Sequence, residues 1–125
     1  MERYISITGY KSRTYDGRII TFGLSDKENY LIKALVNNKN FEVYIADVAS
    51  DLVAIIATAI VVNAEKLKPY DLELLENYYI EVNTEANEIV FWLASPKPTI
   101  ELQMLFNCFD SYEDMIVSLK NILEI

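Results

Sequence analysis

Apolar and polar positions follow two rhythms along this chain, and one stretch departs from both. From Leu52 to Val62 there is no charge, and Thr58 is the sole polar residue. With its flanks the run extends from Asp47 to Leu67. Its β-branched residues suit a strand, but an apolar-patterned segment of roughly twenty residues is too long for an ordinary one. The length predicts a buried helix over about 47–67. Asp47 would cap it, Asp51 would suit the first turn, Lys66 and Lys68 would sit at the far end, and Pro69 would stop it. At about 100° per residue, Val48, Leu52, Ile55, Ile56, Ala59 and Val62 share one face. Ser50, Ala54, Ala57, Thr58 and Val61 form a small-sided back. A sheet would cover this helix; the alternative cover for the small back is a second copy of the chain, giving a homodimer. The uncharged run falls short of the roughly 20 residues of a membrane span, so no membrane role is expected.

Elsewhere the period is two. Residues 2–8 alternate and read as a strand, with Arg18–Phe22 as its partner across an Asp16-Gly17 hairpin turn. Gly9 would mark a bulge. Ser25 and Glu28 have the spacing of a capping box that would open a helix through Val36. The competing reading, which the pattern favours slightly, is a strand over 30–36, a turn at 37–40 and a strand at Phe41–Ile45. Residues 69–76 are ambiguous and suit a short helical turn. Tyr78–Val82 and Ile89–Leu93 read as a second hairpin, and Thr99–Phe106 as a strand with Ile100, Leu102, Met104 and Phe106 on one face. A last helix is expected over 111–123, capped by Asp110 or Ser111, with Met115, Ile116, Leu119 and Leu123 as its apolar stripe. Strand-turn-strand-helix thus recurs around 30–66 and 89–124. The expected fold class is α+β: a mostly antiparallel sheet of hairpins with two helices (about 47–67 and 111–123) packed on one face. Tyr44, Tyr79 and Glu101 would lie on the other, wetter face.

Composition narrows the function. At 125 residues a single domain over 1–125 is expected. Half of the residues are hydrophobic, and three glycines and three prolines argue against low-complexity disorder. The start Met1-Glu-Arg-Tyr lacks the apolar core of a secretory leader, and one cysteine leaves no internal disulfide. A reducing, cytoplasmic setting is expected. Net charge is −8, divided as +3 over residues 1–39 and −11 over residues 40–125. An acidic body disfavours general nucleic-acid binding or anionic membranes and favours a basic protein partner.

There is no histidine, which removes Ser-His-Asp and Cys-His catalysis and the usual His-containing metal sites. There is no Gly-rich phosphate loop and no EF-hand spacing. No cofactor or metal is implied. Cys108 has Asp110 as its nearest ionisable neighbour in sequence, which opposes thiolate formation, so a buried structural role is expected.

The carboxylate pairs Glu73/Glu76, Glu85/Glu88 and Glu113/Asp114 read as solvated faces. A metal-assisted or glycosidase-like use of them is the weakest of the functional readings. The segment 8–18 concentrates Tyr10, Lys11, Arg13, Tyr15 and Arg18, a set that suits a phosphate-bearing ligand or a protein contact.

The leading expectation is a small non-enzymatic binding protein that occupies a macromolecular partner, in the manner of an immunity protein, an antitoxin or a phage-encoded inhibitor. Its acidic surface would be Glu73, Glu76, Glu81, Glu85 and Glu88. The alternative is a dimeric binder of a small nucleotide-like ligand through Tyr10, Lys11, Arg13, Tyr15 and Arg18.

Overall fold

Register organises the molecule. In the computed structural model, which describes residues 17–37, 41–55, 57–82 and 88–124, Ile20 stands between Tyr44 and Ile60, Val61 stands beside Phe91, and Trp92 beside Cys108. Every one of these pairings is parallel. The described elements alternate strictly: β1 (Gly17–Phe22), α1 (Asp26–Leu35), β2 (Phe41–Ala46), α2 (Ala49–Ala54), β3 (Ala59–Asn63), a 3-10 turn (Ala64–Lys66), α3 (Pro69–Val82), β4 (Ile89–Leu93), α4 (Ile100–Leu105), β5 (Asn107–Phe109) and α5 (Tyr112–Leu123). Strand order is β2-β1-β3-β4-β5. The order turns back at β1, whose two neighbours are β2 and β3, so the sheet is doubly wound.

Two apolar clusters lie on opposite faces. On one, Ile20, Ile60, Val62, Val90 and Trp92 meet Leu52 of α2, Leu75 and Tyr79 of α3, and Leu102 of α4. On the other, Ile19, Ala59, Val61, Phe91 and Leu93 meet Met115 and Leu119 of α5, with Leu35 and Val36 from the end of α1. Thr21 Oγ1 donates to Asn29 Oδ1, and both residues are buried, so a polar pin fixes α1 to β1. Strands covered on both sides have no polar face, which is why β3 reads Ala-Ile-Val-Val-Asn and is buried throughout.

The antiparallel expectation is therefore overturned. Between successive described strands a helix intervenes, so their connections are crossovers. Both edges of β1 are taken by β2 and β3, which leaves no place for an antiparallel partner along Gly17–Phe22. Gly17 opens β1 instead of turning a hairpin: a Cβ there would overlap the Thr58 hydroxyl. Residues 2–8, Gly9 and most of the 8–18 segment lie outside the described residues.

The expected helix over 47–67 is two elements. Helix α2 ends at Ala54, and Ile55 at its C-cap is already extended. Strand β3 follows four residues on, so the small-sided back is not one helix face: Ala57 and Val61 are core. Asp47 is not the cap; Val48 holds that position without a side-chain bond. Pro69 starts α3 instead of ending a helix, in keeping with proline's fitness for the first turn.

Residues 26–35 are helical. Ser25 accepts from Glu28 N at 3.1 Å and Ser25 N donates to Glu28 at 2.9 Å, so the capping box forms. The second hairpin is also corrected, since Tyr78–Val82 continues α3. Thr99–Phe106 is not a strand: α4 spans Ile100–Leu105. Tyr79 is core, Tyr44 half-buried, and Glu101 exposed on α4, so no wet sheet face unites them. The last helix forms, with Ser111 accepting from Asp114 N at 3.0 Å.

Candidate functional site

In an open α/β sheet the place to look first is the crevice at the carboxyl ends of the strands, where the winding reverses. Here that place lies between β1 and β3, whose ends approach each other closely. Gly23, at φ +87, lies so close to β3 that a Cβ would stand 2.8 Å from Asn63 O and 3.1 Å from Leu67. Asn63 is buried, and its Oδ1 accepts from Glu65 N at 3.2 Å. Along the strand ends, the residues at and just past β1 to β5 include two charges, Asp47 and Asp110. Asp110 pairs with Lys97 at 2.8 Å. Ala94, in the left-handed region at φ 73, donates its N–H to Phe109 O at 2.8 Å, which spends its unusual backbone on joining β4 to β5. Among the described residues no group of three or more Cys, Asp or Glu is placed to hold a metal ion.

A second concavity, about 440 Å³, lies between α1 and α5 and is lined by Lys27, Glu28, Leu31, Tyr112 and Ile116 among others. Two of its polar residues, Glu28 and Tyr112, are already engaged. Glu28 completes the capping box, and Tyr112 Oη donates to Glu28 O at 2.9 Å. Burial, with Glu28 and Glu113 adding, pushes the Tyr112 phenol up to about 12, so it stays a neutral donor.

The third feature is a surface. Helices α3 and α4 lie on the same sheet face, where the Tyr79 ring meets Phe106 edge-on at 5.4 Å and Phe106 stacks with Trp92 at 5.7 Å. Their inward residues are core. Outward, Met104 is 82% exposed, Ile100 71%, Leu105 51% and Ile80 44%. On the same two helices, α3 carries Asp71, Glu73, Glu76 and Glu81 and α4 carries Glu101, while neither helix contains a lysine or arginine. Glu76 titrates above the ordinary carboxylate range, first because it is partly desolvated and then because Glu73 lies beside it.

The comparisons with known proteins bear on the fold. No family model matches the chain, and no curated protein matches it. Among solved structures, the NMR structure of the pseudo-receiver domain of the CikA protein aligns over 86% of this chain and 97% of its own, with a TM-score of 0.55 and 14% identity. A fusion of yeast Spc42 trimeric coiled-coil amino acids 181–211 to another solved structure aligns over 90% of this chain and 83% of its own, with a TM-score of 0.57 and 14% identity. The fold is receiver-like. At this identity the likeness extends to the fold and no further.

Within this receiver-like frame the sequence-derived candidates separate. Glu73, Glu76 and Glu81 share α3; Glu88 precedes β4 and accepts from Tyr79 Oη at 3.2 Å; Glu85 lies outside the described residues. Burial, reinforced by Glu88, holds the Tyr79 phenol far above its usual range.

Of the basic-aromatic set, Tyr10, Lys11, Arg13 and Tyr15 lie outside the described residues. Arg18 is in β1, where its Nε donates to Glu42 at 2.8 Å. Cys108 is half-buried in β5 against the core, and burial pushes its thiol up, with Lys97 opposing and Asp110 adding.

Sequence reasoning missed Ile100, Met104 and Leu105 as surface. The spacing did not separate the two readings. Ile100/Met104 and Leu102/Phe106 are both four apart, a spacing that strand alternation and a helix share.

Proposed function

We propose that this chain is a non-catalytic protein-binding module that acts by occupying a macromolecular partner through the outer face of α3 and α4. The observation that carries the reading is the exposure of Ile100, Met104 and Leu105 on one short helix, beside a cation-free acidic helix. Apolar residues grouped on a surface and rimmed by charge are the usual mark of a protein contact. The acidic residues Glu73, Glu76 and Glu81 enter as the steering rim, in the manner expected of an immunity protein, antitoxin or phage-encoded inhibitor. A cytoplasmic location belongs to this proposal and rests on the single cysteine; among the described residues no helix is long and apolar enough to cross a membrane.

The test is differential capture. Wild type, Ile100→Asp/Met104→Asp and the control Lys33→Glu on α1 are immobilised in parallel and exposed to a lysate of the source organism. Proteins enriched by wild type and by the control, and lost from the double variant, support the reading. An enriched set indifferent to Ile100 and Met104 overturns it.

A further inference from the structure

We infer that the occupant of the α3–α4 face is one amphipathic helix of the partner, with apolar anchors and a basic flank. The inference rests on the docking reading above and names what docks. Three observations carry it.

The first is shape. Helices α3 and α4 meet through the Tyr79–Phe106 contact on one sheet face, so their exposed residues belong to one layer of helices. A partner helix packs on such a layer by setting its ridges of side chains between those of the helices below. The second is spacing. Ile100 and Met104 stand one helical turn apart on α4, with Ile80 exposed on α3, so apolar contacts are offered in turns. A partner helix meets such contacts with residues at i, i+3, i+4 and i+7.

The third is charge. Asp71, Glu73, Glu76, Glu81 and Glu101 are uncompensated by any cation within α3 or α4. An acidic partner is repelled, and so is a second copy of this chain presenting the same face across a two-fold axis, because carboxylates would confront carboxylates. Lysine and arginine flanking an apolar stripe meet the rim and relieve the Glu73/Glu76 repulsion.

The probe is a synthetic helix-forming peptide roughly 18 residues long, about 27 Å as a helix, with leucine at the stripe positions and lysine or arginine elsewhere. Two controls accompany it: a scramble of the same composition without a stripe, and a version with glutamate replacing the cations. Each is titrated into the isotope-labelled full chain by NMR and followed by fluorescence anisotropy. The stripe peptide is expected to bind, to gain helicity, and to shift amide signals in α3 and α4. Ile100→Glu/Met104→Glu and, separately, Glu73→Lys/Glu76→Lys are each expected to weaken it at least about tenfold. These side chains are exposed, so unchanged thermal unfolding verifies that the variants fold.

Equal binding of the scramble overturns the inference, as do shifts centred on α1 and α5, tight binding of the glutamate peptide, or no binding at all. If lysate capture depends on Ile100 and Met104 while the basic peptide fails to bind, the helix inference falls and the docking reading stands. If capture ignores those residues, the docking reading falls with it.

Discussion

Thr21 and Asn29 show how much a single pair decides. Thr21 lies in a strand buried on both faces, and its hydroxyl would be an orphan without the Asn29 carbonyl oxygen; Asn29 Nδ2 in turn donates to Leu24 O at 3.4 Å. Breaking one side of a buried pair leaves the other unsatisfied, which costs more than the bond is worth. Thr21→Val is therefore expected to lower unfolding free energy by about 1–3 kcal/mol. Thr21→Val/Asn29→Leu, which replaces both partners with apolar groups, is expected to recover part of that loss. Urea denaturation of the three proteins checks it, and a double variant worse than the single would show that the pair is not a closed unit. At this scale the sequence was informative where a motif is local. The Ser25–Glu28 spacing gave a capping box that forms, because both partners sit within one turn. Thr21 and Asn29 carry no such mark: eight positions apart in different elements, they meet only once α1 packs on β1. The same holds for Arg18, whose partner Glu42 belongs to the neighbouring strand.

Helix α3 makes the argument for elements. It opens on Pro69, buries Leu75 and Tyr79, and turns Glu73 and Glu76 outward one turn apart. Like charges at that spacing repel, and Glu76 is held above its ordinary range by partial desolvation and by Glu73. A carboxyl whose folded value is raised above its unfolded one contributes stability that is fully present below the unfolded value and is lost as pH rises through the folded value. At neutral pH the ionised Glu76 is therefore a burden on the fold. Glu76→Gln is expected to raise the melting temperature at pH 7, with the difference shrinking towards zero at about pH 4, where the native carboxyl is already protonated. Thermal scans of both proteins across that range decide it; a gap that persists at low pH would point to packing instead.

Elements were the scale at which sequence reasoning failed most clearly. The run from Leu52 to Val62 holds the end of α2, a short link and most of β3 with no charge and only Thr58 as a polar residue, so its length suggested one helix. The β-branched Ile60, Val61 and Val62 marked the strand, but a strand buried on both faces lacks the alternation that separates it from a buried helix. Tyr78–Val82 misled in the opposite sense: β-branched and aromatic residues there lie in a helix, because the packing of Leu75 and Tyr79 outweighs local preference.

For the whole molecule, topology follows from alternation alone. Once helices are recognised between successive strands, parallel pairing is the natural outcome, and the hairpins expected beyond residue 30 were inferred because α1, the second half of α3 and α4 were read as extended. The function-bearing property at this scale is charge, −8 in total and −11 over residues 40–125, with α3 and α4 lacking cations. Fields of this kind act mainly before contact, by raising the rate of encounter with an oppositely charged partner. Screening shortens from about 8 Å at 0.15 M salt to about 3 Å at 1 M, so exposed carboxylates lose their reach while the apolar contact keeps its grip. Stopped-flow binding of the basic stripe peptide is thus expected to show an association rate that falls steeply with salt and a dissociation rate that changes little. Ile100→Glu/Met104→Glu is expected to do the reverse, raising dissociation with a smaller effect on encounter. If salt instead governs dissociation, Glu73 and Glu76 are engaged in desolvated pairs within the interface, and the acidic residues rather than Ile100 and Met104 are what hold the partner.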